Sequence, residues 1–286
     1  RAAQEPAEPE PPPATEKDDA DYKGLRIAGM AIERARLEIR DETAAKTLTV
    51  KDFNLNVSEV IPGKDVTAAL TMLLDDGGGK PAPFELEAAV RPLPADLDFS
   101  RVPATNLKTR LVGVDLSPWA ELLPKDVMVP SAGKVSFELK AATNAGAQNA
   151  DVDGFVELAG LTLKHKGITG LPSDIRVDVD IHGDLQKKSF DVRAFNIKAP
   201  AVALNTKVRI ESPSVAGIQD ANVELRVTDL ARVVAILPKG SGVLPPELTL
   251  EGPFEVDLKG DAAAGSLRVD LDAAHLAWAD VFNKQQ

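Results

Sequence analysis

The sequence predicts an all-β fold made of tandem repeats of antiparallel sheet, with two short helices. Three observations lead there. First, apolar and polar residues alternate along most of the chain, as in VELRV from Val223 and FEVDL from Phe254. Period two puts successive side chains on opposite faces of a sheet, one dry and one wet. Second, the chain repeats itself. Asp115 matches Asp229 and Pro124 matches Pro238, both 114 residues on, and GKVSFELKA from Gly133 matches GPFEVDLKG from Gly252. A fixed internal period is the mark of a repeat array. Third, helical punctuation occurs only once per repeat, in LSPWAELLP and again in TDLARVVAILP.

Residues 1–22 read as a disordered linker. They are rich in proline and acids and hold almost nothing to bury, so an extended chain with polyproline character is expected. Residues 23–158 form the first expected β unit. LEIRDETAAKTLTV reads as a hairpin in which Leu37 and Ile39 face Leu48 and Val50. MAIERARLEI also fits helical spacing at Ile32, Ala35 and Ile39, and periodicity leaves both readings open. Parity then breaks between Val50 and Phe53. A bulge at Lys51 and Asp52 keeps both sides of the break on the dry face. Val66 to Leu74 alternates, and DDGGG turns the chain into the strand holding Phe84 and Leu86. Residues 91–106, with Pro92, Pro94 and Pro103, read as a connection. The first helix follows TRLVGVDL. Ser117 can cap it, Pro118 fits its first turn and Pro124 stops it.

Residues 159–273 form the second expected unit. AGLTLK from Ala159 echoes ARLEIR from Ala35, and Ile175, Val177, Val179 and Ile181 make the cleanest alternation in the chain. Phe190 and Val192, then Phe195 and Ile197, repeat the earlier parity break. Thr228 or Asp229 can cap the second helix, and Pro238 stops it. Residues 274–286, opening with AHLAW, read as the start of a third unit.

Composition narrows the function. The 286 residues carry a net charge of −11, with 44 acids against 33 bases. That disfavours nucleic acid, which rewards clustered lysine and arginine, and docking on anionic lipid by charge alone. With no cysteine there is no disulfide, thiolate metal site or thiol nucleophile. No apolar run reaches the roughly 18 residues of a membrane span. The chain opens on Arg1, which fits a processed segment whose anchor or export signal lies outside it.

No chemistry-bearing constellation stands out. Gly77, Gly78, Gly79 and Lys80 are followed by Pro81 rather than the Ser or Thr of a phosphate loop, so they read as a turn. Asp178, Asp180 and Asp184, with His182, could hold a cation, but a solvated strand face accounts for them and the spacing is not a calcium loop. His165, His182 and His275 show no ligand spacing, and no serine sits in a G-x-S-x-G elbow. Trp119, with Leu116, Leu122 and Leu123 at helical spacing, reads as packing on the sheet rather than a ligand platform. No catalytic residue, metal or cofactor is expected.

About a dozen amphipathic strands need their dry faces covered. Units joined edge to edge would share one dry face along the array, and one helix per unit is too little to cover it. Protein, lipid or the curl of the sheet itself must then do so. The alternative is a set of closed β-sandwiches serving as a structural or protein-interaction module without lipid.

The stretches VDLSPWAELLP, GKVSFELKA and VELAGLTLKH, their second copies TDLARVVAILP, LEGPFEVDLKG and VDLDAAHLAW, and the opening LRIAGMAIERARLEIRDETAAKTLTVKDFNLNVSEVIPGK resemble the AsmA family. This is a family of bacterial periplasmic proteins that includes the larger TamB-like and YhdP-like bridges. The resemblance covers residues from about Leu25 to the end. It implies a curved sheet forming an elongated, taco-like apolar groove. It also implies phospholipid acyl chains as cargo, and a periplasmic location tethered to the inner membrane by an anchor outside this chain. A role in supporting the outer membrane follows, with an outer-membrane or periplasmic protein as a further partner and no nucleic acid. The groove residues expected on this basis are Leu48, Val50, Phe53, Leu55, Val57, Leu70, Met72, Phe84, Leu86, Val135, Phe137, Leu139, Ile175, Val177, Val179, Ile181, Phe190, Val192, Val223, Leu225, Val227, Phe254, Val256, Leu258, Val269 and Leu271.

Overall fold

A computed structural model describes residues 24–41, 46–75, 80–96, 103–120, 129–166, 168–184, 186–211, 217–236, 248–261 and 268–278. The strands are β1 (Met30–Asp41), β2 (Lys46–Val57), β3 (Val66–Asp75), β4 (Ala82–Arg91), β5 (Ala104–Asp115), β6 (Val129–Thr143) and β7 (Asn149–His165). They continue as β8 (Ile168–Thr169), β9 (Ser173–Asp184), β10 (Ser189–Ala199), β11 (Val202–Ile210), β12 (Ile218–Val227), β13 (Leu248–Gly260) and β14 (Arg268–Trp278). All belong to one open, curled antiparallel sheet. Its order follows the chain from β1 to β14, except that the two-residue β8 pairs only with β7. Helix α1 (Ser117–Ala120) links β5 to β6, and α2 (Leu230–Ile236) links β12 to β13. The expected linker, the glycine turn and the residues after Trp278 lie outside the described residues.

The repeat has a structural period of six strands. β5 and β12 stand six places apart in the sheet, run in the same direction, and each delivers a helix at the same rim. The expected unit boundaries, 158/159 and 273/274, fall inside β7 and β14. Both are continuous strands, and the sheet passes through them.

Local chemistry sets the details. MAIERARLEI is strand, not helix, because each of its large apolar residues meets an apolar partner on β2: Met30 opposite Val57, Ile32 opposite Leu55, Leu37 opposite Val50, Ile39 opposite Leu48. Cross-strand pairing decides what periodicity left open. The bulge lies at Asp52, in the left-handed region with φ of 48°, and the β2–β3 register shifts between Lys51 and Asn54. A second register shift follows Val192, where the second parity break was expected. The α1 entry is held by Asp115, whose carboxylate accepts the Ser117 amide at 2.9 Å and the Ser117 hydroxyl at 2.7 Å. Ser117 is therefore the donor there rather than the cap. For α2, Asp229 is the cap, accepting the Arg232 amide at 3.1 Å. The Trp119 side chain and residues 121–128 lie outside what is described.

The closed sandwich is not what these strands build. Elements in substantial contact are sheet neighbours, apart from α1 on β6, α2 on β13 and a single 3-10 turn at Ala145–Ala147 against β5. Among the described residues no second sheet faces the first. Strands consecutive in the chain pair with one another, β8 aside, so the array grows sideways instead of folding back over its own dry face.

Candidate functional site

The cross-strand pairs align the apolar residues into rows running across the strands. The longest links Met72, Phe84, Leu111, Phe137, Val156, Val177, Ile197, Leu204, Leu225 and Val256, each directly opposite the next. At the usual spacing of strands, ten positions span roughly 43 Å. Backbone register carries the row on to Leu271. A parallel row joins Ile32, Leu55, Leu70, Leu86, Thr109, Leu139, Gly154, Val179 and Phe195. Val57, Ile181 and Val192 lie on a third row, through Ala68, Ala88, Leu107, Ala141 and Val152.

The remaining expected residues fall on the same face. Val50 pairs with Leu74, Phe53 with Ala35, Val135 and Ile175 both with Leu158, and Phe190 with Gly183. Val223 pairs with Leu258 and Val227 with Phe254. Leu48 and Val269 take matching register positions, but their side chains, like that of Leu271, lie outside what is described.

Most of this face is half-buried rather than sealed. A small core of Ala82, Leu111 and Val114, ringed by Leu74, Phe84, Val135 and Phe137, closes the end of β3–β6 nearest α1. Elsewhere large apolar side chains stay open: Met30, Ile32, Leu37 and Ile39 along β1, and Leu107, Val152, Phe190 and Phe195 farther on, with Leu37 reaching 57% exposure. Leu111, Val156, Ile197 and Leu204 belong to the longest row without having been expected in it. Gly113, with φ of 68°, shifts the register between Leu111 and Val114 and hides their alternation.

The opposite face is a lattice of charge. Arg176 bonds Asp178 at 2.8 Å and Glu157 at 3.4 Å, Arg226 meets Glu255 at 2.9 Å, and Lys140 meets Glu138 at 3.2 Å. The Lys140 hydrogen bond holds the Glu138 carboxyl below the usual glutamate range, and Arg40 and Arg36 do the same for Glu38. Asp178 and Asp180 share this face with His182, as alternation requires. His182 Nδ1 sits 2.7 Å from Asp151, and Arg193 lies 3.6 Å from Asp180. Among the described residues no three such side chains are grouped to hold a metal ion.

Depressions lined by described residues lie on this wet face. One, of about 730 Å³, crosses β2 to β7. Two polar side chains are buried without a partner. His165 and Ser173, near the β7–β9 connection, are 7% and 2% exposed, with Nδ1 and Oγ lacking hydrogen-bond partners. Ser173 stands opposite Leu161, just beyond the register shift that follows Leu158. No helix among the described residues is long and apolar enough to cross a membrane. In comparison with known proteins, no family model, curated protein or solved structure matches the chain.

Proposed function

We propose that the apolar face carries phospholipid acyl chains, as a segment of a periplasmic conduit tethered to the inner membrane and supplying the outer membrane. One observation carries this reading: the unbroken apolar row from Met72 to Val256, perpendicular to the strands. A hydrocarbon chain lying along it would meet aliphatic or phenyl carbon at every strand. Each buried CH₂ gives about 0.8 kcal/mol, so a chain of roughly fifteen carbons gains on the order of 10 kcal/mol gross. Because each step offers similar burial, no position becomes a deep trap, and sliding costs little. The resemblance to the AsmA family supplies the compartment and the cargo class. No residue of the face is assigned a catalytic role.

Photocrosslinkers placed at Val177 and Val179 in membranes should capture phospholipid, whereas those at Asp178 and Asp180 should not. Equal lipid capture at both parities, or protein adducts alone from Val177 and Val179, would overturn the reading. Lipid analysis of the purified chain gives an independent check, with bound phospholipid as the expected result.

A further inference from the structure

The two rims of the sheet differ. Helices α1 and α2 leave it at one rim, and the connections after β4, β6 and β9 lie at the other. Among the described strand residues, the large apolar side chains least exposed are Val50, Leu111, Val114, Leu161 and Val227, at 7–9%. All five stand toward the helix rim. Away from the edge strand β1, the large side chains most open on the apolar face are Leu107, Val152, Phe190 and Phe195, at 36–40%. These lie in the middle row or beyond it, toward the opposite rim.

Each half of the sheet closes the helix rim in its own way. In the first half it is the core of Ala82, Leu111 and Val114. In the second half α2 is tied at both ends. The Thr228 amide donates to the Ala201 carbonyl in the β10–β11 turn, and the Leu171 amide donates to the Ala235 carbonyl, both at 2.9 Å. The helix therefore runs from the end of β12 back to the start of β9. Toward the opposite rim the apolar face thins out. Ala68, Ala88 and Ala141 fall in the third row, and past them Thr105 and Thr143 stand directly opposite one another. Both threonine hydroxyls donate to the Pro103 carbonyl, at 3.1 and 3.5 Å. A hydroxyl oxygen can still accept from water, which the aliphatic rows cannot do. An amphiphile on this face thus has one favourable direction. Its hydrocarbon gains most where water is already excluded, and its phosphate is heavily penalised unless it stays hydrated.

We propose that the face is loaded from one side: a phospholipid enters across the rim opposite the helices, with its acyl ends turned toward Leu111, Leu161 and Val227 and its headgroup beside Thr105 and Thr143. This rests on the lipid reading above and adds a direction to it. The test uses the whole, unsubstituted chain and two sets of phosphatidylcholine vesicles. One set carries a diazirine at the acyl terminus, the other a photoreactive group on the choline. Cleavage after Arg101, Lys108, Arg110 and Lys125 separates peptide 102–108, which holds Thr105, from peptide 111–125, which holds Leu111 and Val114. Mass spectrometry should find acyl-end adducts severalfold enriched in 111–125 and headgroup adducts severalfold enriched in 102–108. Equal labelling of the two peptides by both probes, or the reverse sorting, would overturn the direction and leave lipid as the cargo. Labelling of neither peptide by either probe would overturn the lipid reading and the direction with it.

Discussion

The guanidinium of Arg176 lies 4.1 Å from the centre of the Phe155 ring, on the wet face of the sheet. Phe155 is an aromatic residue on the face where alternation predicts polar ones. Arg176 sits over the ring while bonding Asp178 and Glu157. Arg176→Lys would keep the charge but lose the guanidinium's contact with the ring and its forked geometry. It should cost about 0.5–1 kcal/mol in urea unfolding, with Arg176→Ala costing more. Equal stability of the lysine variant and the parent would show that the stack contributes nothing.

Gly154 sits in the second apolar row, between Leu139 and Val179. A Cβ there would run into the carbonyl oxygen of Glu138 on the neighbouring strand. Gly154→Ala should therefore destabilise the chain by about 2–4 kcal/mol, because backbone rather than a flexible side chain must move. Gly160, with φ of 62° and open space around its Cβ direction, is the contrast. Gly160→Ala should cost only about 1–2 kcal/mol, the conformational term alone. Denaturant midpoints of the two variants compare them.

Acid should loosen the wet face before it touches the dry one. Glu138 and Glu38 are held below their ordinary range by Lys140 and by Arg40 with Arg36, and Asp184 by the backbone amide and side chain of Lys187. A carboxyl whose pKa is lowered on folding contributes stability above its unfolded value and loses it as pH falls through the folded one. Stability should thus fall as pH drops below the ordinary carboxylate range, and Glu138→Gln should flatten that dependence slightly. Unfolding midpoints recorded from neutral to acidic pH measure the slope.

The α2 helix depends on its cap. Its seven residues are too few to be stable alone. Asp229 accepts the Arg232 amide, and the Ala235 carbonyl accepts the Leu171 amide at 2.9 Å, tying the helix to the segment after β8. Asp229→Ala should cost about 1 kcal/mol and speed hydrogen exchange at Arg232 and Val233, while Asp229→Asn should largely preserve protection.

A charge in the apolar row tests the lipid reading directly. Val177→Asp should lower the phospholipid retained by the purified chain severalfold, since a carboxylate in a hydrocarbon path costs several kcal/mol. Asp178→Asn, one residue on and facing the other way, should leave retention unchanged. Lipid mass spectrometry reads both.

Period-two alternation and the internal repeat determined the strands, their dry and wet faces, and the growth of the chain as an array. Both signals are local, and a strand has only two faces to choose from. The Lys51–Asp52 bulge was legible for the same reason: five apolar residues with broken parity cannot share a face otherwise. Several features belong to the tertiary structure alone. MAIERARLEI became strand because β2 offered partners for its apolar residues. The rows from Met72 to Val256 exist only once register sets which residue stands opposite which. Register is a relation between strands, so composition and periodicity within one strand cannot contain it.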